Sequence, residues 1–197
     1  MVWIKARVEV VHADLERETA FWTGVVGGPL PPHLTVQMPD PPYDWSGGPG
    51  VKVEVVRDIP EPPVPPPASF PGVLRTRVYQ ICVDRPHDWY YEHGAEDWSR
   101  MTGGTLEPFD RRPEFTWVRI PGGPHPLELL LQRVGTNDPL RAHLDVGTSD
   151  RTAEVRRHLD LGATHVADEE FWTVLNDPAG FPYCVTDRDP ATGELTG

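Results

Sequence analysis

In short stretches of the 197-residue chain, hydrophobic and polar residues alternate. Between these stretches lie longer segments in which hydrophobic residues recur at helical spacing. Residues 3–11 alternate and are rich in valine, which predicts a strand. Asp14 follows at a position typical of a helix N-cap, and the next apolar residues recur at helical spacing up to Gly27 and Gly28. Two further stretches, PHLTVQM (residues 32–38) and the valine-rich VKVEVV (51–56), predict strands.

The rest of the chain repeats this order twice. In the middle part, a predicted helix runs from roughly His87 to Met101 and ends at Gly103 and Gly104. In the last part, either Ser149 or Asp150 caps a predicted helix. The predicted strands around these helices are 77–83, 115–120 and 127–134, and then 142–146, 163–167, 171–177 and 183–187.

Sequence similarity between two segments indicates that the repeated order of elements reflects a duplication. AFWTGVVGG (Ala20–Gly28) and EDWSRMTGG (Glu96–Gly104) each place a tryptophan shortly before a Gly-Gly helix stop. A repeat of about fifty to sixty residues is typical of duplicated modules. We therefore predict an α+β protein with the order strand, helix, then several strands in each module.

Proline divides the chain, which contains 24 prolines. The run IPEPPVPPPASFP reads as an extended linker or, alternatively, as a ligand of SH3 type. We prefer the linker, because the run lies between two patterned segments and has no basic residue close by. The predicted organisation is a partial β-α-β-β module over 1–60, a linker over 61–75, and a domain over 76–197 with modules 76–134 and 141–187.

The formal net charge of −12 argues against nucleic acid and anionic membranes as partners, because both require a basic surface. The N-terminal sequence lacks the long apolar region of a signal peptide, and no apolar run approaches the length of a membrane span. Cys82 and Cys184 are too few and too far apart for a disulfide framework. The cytoplasm is the expected location.

The last part of the chain resembles the second half of a glyoxalase-like domain of the vicinal-oxygen-chelate superfamily. The matching pieces are His143-Leu144-Asp145, Asp150, Leu161-Gly162-Ala163, and Asp177-Pro178 with Gly180 before the final strand. The middle part resembles the first half, so the resemblance covers roughly residues 76–187. It implies repeated β-α-β-β-β modules that form a curved mixed sheet around a cavity.

Metal-using relatives take their ligands from the first and last strand of each module. The resemblance places His143 and Cys184 at these positions in the last module, and a carboxylate would usually stand where Cys184 is. In the middle module, alternation groups Tyr79, Ile81 and Val83 on an apolar face, and Val78, Gln80 and Cys82 on the other. The same alternation on the strand 127–134 predicts that Glu128 and Gln132 face the cavity.

These candidates allow two kinds of chemistry. His143 and Asp145 lie two residues apart and share a face, so they are candidates for proton transfer or for polar ligand contacts. A metal would be held by His143, Glu128 and Gln80, with zinc or iron tolerating Cys184 better than hard cations do. We expect instead a metal-free pocket in which Gln80, Glu128, Gln132, Trp117 and Cys184 contact an organic ligand.

The expected function is therefore a small-molecule-binding protein that sequesters or senses an organic ligand without a cofactor. The alternative is a lyase, isomerase or dioxygenase-type enzyme that acts on a small oxygenated substrate, with a divalent metal such as zinc or iron. A third reading is an interaction protein that docks through its proline run. No nucleic acid or membrane partner is expected, and the resemblance allows a homodimer.

Overall fold

Twelve strands and three helices are present in the computed structural model, which describes residues 2–11, 14–39, 49–72, 74–86, 88–135 and 141–195. His87, the predicted start of the second helix, lies outside these ranges, as do the predicted domain limits at residues 1 and 197. The elements of the first 70 residues are β1 (Val2–Glu9), α1 (Leu15–Val26), β2 (Leu34–Gln37), β3 (Gly50–Arg57) and β4 (Ala68–Phe70).

Two complete β-α-β-β-β modules follow. The middle module consists of β5 (Leu74–Arg85), α2 (Asp88–Thr102), β6 (Thr105–Pro108), β7 (Phe115–Arg119) and β8 (Glu128–Arg133). The third consists of β9 (Arg141–Thr148), α3 (Arg151–Asp160), β10 (Thr164–Asp168), β11 (Trp172–Asn176) and β12 (Pro182–Thr186). The predicted α+β class with repeated modules is confirmed.

Two strands were not predicted. The short strand β6 is mostly exposed, so it lacks the buried alternation that signals a strand. The three-residue strand β4 falls within the predicted linker and pairs with the start of β5. Residues 61–67 before it contain no helix or strand.

All twelve strands belong to one open, mixed sheet, whose longest path runs β10-β11-β12-β9-β5-β8-β7-β6. In each complete module the last strand lies parallel to the first, β8 beside β5 and β12 beside β9. The two modules join through the antiparallel pair β5 and β9. The middle of the sheet therefore contains the first and last strands of both modules side by side.

The first 60 residues form a different arrangement. β1 pairs in parallel with β2 and antiparallel with β3, so the local order is β2-β1-β3. Within the sheet this unit pairs with β9 at Val51 and Ala142, and the rings of Phe21 and Trp22 on α1 pack against Tyr183 of β12. The division of the chain into an N-terminal module, a linker and a glyoxalase-like domain remains a prediction.

The four middle strands separate an apolar core from a polar face. Leu129, Leu131, Leu144 and Val185 are fully buried in one large cluster to which all three helices contribute side chains. The residues between them, such as Leu130, His143 and Cys184, point to the opposite face because side chains alternate along a strand. Burying the apolar face under the helices fixes which side of the sheet remains for a binding site.

A buried polar network joins α1 to the third module. Glu18 accepts hydrogen bonds from Trp22 Nε1 at 2.7 Å and from the Ala179 amide at 3.1 Å, and it shares a hydrogen bond with Asp177. Burial and the Asp177 carboxylate raise the pKa of Glu18 to about 8. Both carboxyl groups therefore share a proton near neutral pH.

This shared proton predicts that the free energy of unfolding falls as the pH rises from mild acid to about 8. A raised carboxyl pKa means that the folded state binds more protons than the unfolded state between about pH 4.5 and 8, so stability falls as pH rises through this window. Asp177→Asn removes the like charge, and we expect it to flatten the pH dependence by about 1–2 kcal/mol. Urea unfolding at several pH values measures the effect.

Asp160→Asn, on the exposed end of α3, is the matched control and should keep the wild-type slope. A wild-type stability that rises between pH 5 and 8 would contradict the shared proton.

Candidate functional site

A cavity of about 610 Å³ lies on the polar face of the four middle strands. Its floor comes from alternate residues of β5, β8, β9 and β12, and its mouth from the segments before β7 and β11 and from the chain after β12. The floor residues are Tyr79, Gln80, Cys82, Leu130, Gln132, His143, Asp145, Cys184 and Thr186. The mouth residues are Phe109, Asp110, Arg111, Arg112, Phe115, Glu170, Phe171, Trp172, Arg188 and Leu195.

A β-bulge at Tyr79 sets the orientation of β5. Val78 pairs with Val146 and Gln80 pairs with Asp145, so Tyr79 is an extra residue opposite β9. Tyr79 consequently lines the cavity beside Gln80, whereas Val78 packs in the apolar core with Ile81. The expected grouping of Tyr79 with the apolar face and Val78 with the cavity face is wrong for this reason.

His143 is the centre of the floor. Its Nδ1 lies 3.5 Å from Asp84 Oδ2, and its Nε2 lies 3.5 Å from Asp145 Oδ1. Both thiols, Cys82 and Cys184, lie within 4.8 Å of it. Asp84 is further neutralised by Arg141, whose Nε lies 2.8 Å away.

Charge on this floor is set by burial and by these neighbours. Burial opposes the imidazolium form, but the pKa of His143 is raised well above 6.5, and Asp84 is the neighbour in contact with the imidazole whose own pKa is lowered, so that it carries a negative charge at neutral pH. Burial raises the pKa of Asp145 to about 6, although His143 partly counteracts it. Burial also raises the pKa of Cys82 to about 12, so that thiol is protonated at neutral pH.

The two thiols cannot form a disulfide with each other. Cys82 pairs with His143 on one side of β9, and Cys184 pairs with Asp145 on the other. Two strand spacings separate them, about 9–10 Å, which exceeds the Cα distance that a disulfide spans. Both cysteines are free and buried.

Aromatic rings and arginines surround the mouth. The guanidinium of Arg112 lies 5.4 Å from the Trp172 ring and 3.1 Å from Glu170. Arg188 lies 5.5 Å from the Trp117 ring and donates to Gly193 O at 2.7 Å. Phe115 meets Trp172 edge to face at 6.0 Å. Such a mouth suits the faces of an aromatic ligand.

The structure brings most of the predicted site residues together. Gln80, Gln132, His143, Asp145 and Cys184 all line the cavity. Two others are not among the lining residues. Glu128 is the first residue of β8, and its carboxylate lies 3.7 Å from Arg119 Nη1. Trp117 pairs with Leu130 on the same face of the sheet and is buried in a small cluster with Cys82 and Leu130 beside the floor.

The positions that hold metal in relatives do not form a four-ligand centre here. Because β5 and β9 pair symmetrically about Ile81 and Leu144, Gln80 is the counterpart of His143. By the same symmetry Leu130, beside Cys82, is the counterpart of Cys184, beside Asp145. A leucine cannot ligate a metal, so the residues present do not fit that centre.

A different set of donors does converge. The ligand atoms of His143, Asp145 and Cys184 lie within 4.8 Å of one another, and so do those of Cys82, Asp84 and His143. Nitrogen, sulfur and carboxylate oxygen together are donors of the kind that zinc accepts. Neither set contains Glu128 or Gln80, which the sequence suggested as ligands.

Sequence reasoning missed Asp84, which contacts the floor residue His143, and the residues of the mouth. Asp84 continues the alternation of Gln80 and Cys82 on β5, so period two could have found it. The mouth residues have a weaker signal, which is the clustering of arginine with aromatic residues in FDRRPEF (residues 109–115) and of acidic with aromatic residues in EEFW (169–172). Arg188 follows the last strand and has no pattern that points to it.

Comparison with known proteins gives one family match. The model of the glyoxalase-like domain matches residues 80–186, more than half of the chain, and this confirms the resemblance seen in the sequence. None of the curated proteins matches. Among the helices of the described residues, none combines the length and apolar character required to cross a bilayer.

Similar solved structures include a methylmalonyl-CoA epimerase from Mycobacterium tuberculosis, at 12% identity and a TM-score of 0.37, over 55% of this chain and 85% of that chain. Another is a glyoxalase I mutant from Zea mays, at 13% identity and a TM-score of 0.22, over 55% of this chain and 44% of that chain. A gene product from Arabidopsis thaliana matches at 15% identity and a TM-score of 0.22, over 55% of this chain and 94% of that chain.

The surroundings of His143 yield a testable titration. Asp84→Asn removes a carboxylate that hydrogen-bonds to the imidazole, so we expect the pKa of His143 to fall in this variant. Imidazole NMR shifts, recorded after dialysis against EDTA, measure the pKa. Asp97→Asn makes the same change at an exposed side chain of α2. It is the matched control and should leave the pKa of His143 unchanged. A wild-type His143 that titrates below 6.5 would contradict the proposed charge of the floor.

Proposed function

Because the chain belongs to the glyoxalase-like domain family, we propose that it binds a small organic ligand with an aromatic body in the cavity over β12-β9-β5-β8. The observation that carries this proposal is the cavity itself, about 610 Å³ with a polar floor and an aromatic mouth. Ligand sites of this size are typically lined by apolar and aromatic side chains with a few polar groups that orient the ligand.

The parts of the cavity have distinct roles in this proposal. Phe109, Phe115, Phe171 and Trp172 contact the aromatic body, and burial of this apolar surface supplies most of the binding free energy. Gln80, Gln132 and His143 orient the polar end of the ligand. Because Gln80 and His143 are buried and both contact Asp145, they are held in place before the ligand arrives, which limits the entropy lost on binding.

We further propose that the pocket works without a metal and that the protein sequesters or senses its ligand. Leu130 at one ligand position and the neutral Gln80 at another support this proposal, since neither provides an anionic oxygen. His143 faces a carboxylate from each ring nitrogen, and an imidazolium cannot coordinate a cation.

A second candidate is a lyase, isomerase or dioxygenase-type enzyme. The specific observation in its favour is the convergence of His143, Asp145 and Cys184, whose ligand atoms lie within 4.8 Å of one another. In this reading the three residues would hold zinc or iron, and the metal would polarise an oxygen of the substrate. His143 would then have to lose its proton on loading.

Two further parts of the proposal concern the setting of the protein. Both cysteines are free thiols out of reach of each other, which is compatible with a reducing cytoplasm. We also propose that neither nucleic acid nor membrane is a partner, in line with the net charge of −12. We further propose that the protein forms a homodimer, and light scattering would measure its mass in solution.

Binding of aromatic compounds tests the main proposal. We expect bicyclic aromatic compounds to bind in isothermal titration calorimetry, and their saturated-ring counterparts to bind more weakly because they cannot stack on the mouth. Phe171→Ala should weaken binding by about three- to tenfold. Ile59→Ala, whose side chain is exposed away from the cavity, is the control and should bind as the wild type does.

Elemental analysis separates the two candidate functions. Protein purified without chelators should contain much less than one equivalent of any transition metal if the pocket works without one. One equivalent of zinc or iron that is lost in His143→Ala, but kept in His165→Ala on the exposed β10, would reject the metal-free proposal and favour the enzyme.

A further inference from the structure

Two buried oxygen atoms on the cavity floor lack a hydrogen-bond donor among the described residues. They are Gln80 Oε1 and Asp145 Oδ1, on side chains that are 2% and 5% exposed. His143 Nε2 lies 3.5 Å from Asp145 Oδ1, at the outer limit of a hydrogen bond. Buried acceptors in folded proteins normally have a donor, so a bound molecule is a natural source of one.

The orientation of the Gln80 amide is fixed by its neighbour. Gln80 Nε2 donates to Asp145 Oδ2. Turning the amide over would place its oxygen against a carboxylate oxygen, which repels it. The Gln80 side chain therefore presents an acceptor, and not a donor, to the cavity.

The donors on the floor are already engaged or lie elsewhere. The two ring nitrogens of His143 face Asp84 and Asp145. Gln132 Oε1 accepts from the Cys82 thiol at 3.8 Å, which leaves the Gln132 amide N–H group as a donor further along β8. The floor thus offers two unsatisfied acceptors, on Gln80 and Asp145, and the Gln132 amide as a donor.

Acidic and basic side chains around the floor already contact one another. Asp84 lies 2.8 Å from Arg141, and His143 lies 3.5 Å from both Asp84 and Asp145. A charged head group would add a further charge in a buried place, and uncompensated buried charge is costly. An uncharged head group that both donates and accepts matches the floor better than an ammonium or a carboxylate.

We infer that the ligand of this cavity carries a planar, uncharged N–H donor head group of carboxamide or lactam type, bound by Gln80 Oε1 and Asp145 Oδ1. The carbonyl oxygen of the head group accepts from Gln132 Nε2. This inference rests on the proposed function, because it concerns the polar end of the aromatic ligand proposed above.

Three probes with one ring system test the inference on the full chain. They are naphthamide, methyl naphthoate and naphthoate, each substituted at the same ring position, measured by isothermal titration calorimetry. The amide alone brings N–H donors, so we expect it to bind about tenfold or more tightly than the ester and the carboxylate. Competition among the probes shows whether they share one site.

Asp145→Asn should reverse this preference. Gln80 Nε2 can still donate to the new side-chain oxygen, and the new amide nitrogen then faces the cavity as a donor in place of an acceptor. We expect the naphthamide affinity to fall about tenfold and the methyl naphthoate affinity to rise. Asp97→Asn, which makes the same chemical change on the exposed surface, should keep the wild-type order.

The outcomes distinguish the inference from the proposed function. If the ester or the carboxylate binds the wild type as tightly as the amide does, the aromatic-ligand proposal stands and the head-group inference is wrong. If none of the three probes binds, both are rejected. Should Asp145→Asn fail to fold, which circular dichroism would reveal, Gln80→Leu provides the second variant, because it removes one acceptor and should lower amide affinity selectively.

Discussion

The antiparallel pairing of β5 with β9 is the constraint on which the rest of the site depends. Its centre is the pair Ile81 and Leu144, both fully buried in the apolar core. With this pair fixed, Gln80 must lie opposite Asp145, and Cys82 opposite His143. A shift by one residue would turn the polar side chains into the core and the apolar ones into the cavity. The apolar face therefore determines the chemistry of the polar face.

A buried floor with several ionisable groups requires internal compensation. His143 lies between two carboxylates, and Arg141 adds a basic side chain beside Asp84. Removing one member leaves the others uncompensated in a buried position, which costs more than the loss of a surface ion pair. The floor is accordingly a unit whose members act together, while the arginines at the mouth are half-exposed and more independent.

Much of the fold could be predicted from the sequence, because alternation and helix caps are local signals. Of the two predicted N-caps of α3, Asp150 is the one observed, and its carboxylate accepts a hydrogen bond from the Ala153 amide at 3.0 Å. The bulge at Tyr79 was beyond that reasoning, since an extra residue leaves no trace in the pattern and exchanges the faces of Val78 and Tyr79. Glu128 shows the other limit, because alternation gives the face of a residue but not where along the strand the cavity ends.

Arg157 gives the first 60 residues a larger role than their position in the chain suggests. Its guanidinium donates to the carbonyls of Gly24 and Val25 at the end of α1, forms two hydrogen bonds with Glu154, and lies 3.8 Å from the Phe70 ring. One side chain of the third module thus binds the carbonyls at the end of α1 and packs against Phe70, which lies in the segment between the first 60 residues and the middle module. Such sharing favours a single cooperative unfolding transition, so amide hydrogens in α1 and α3 should exchange with the same free energy of opening.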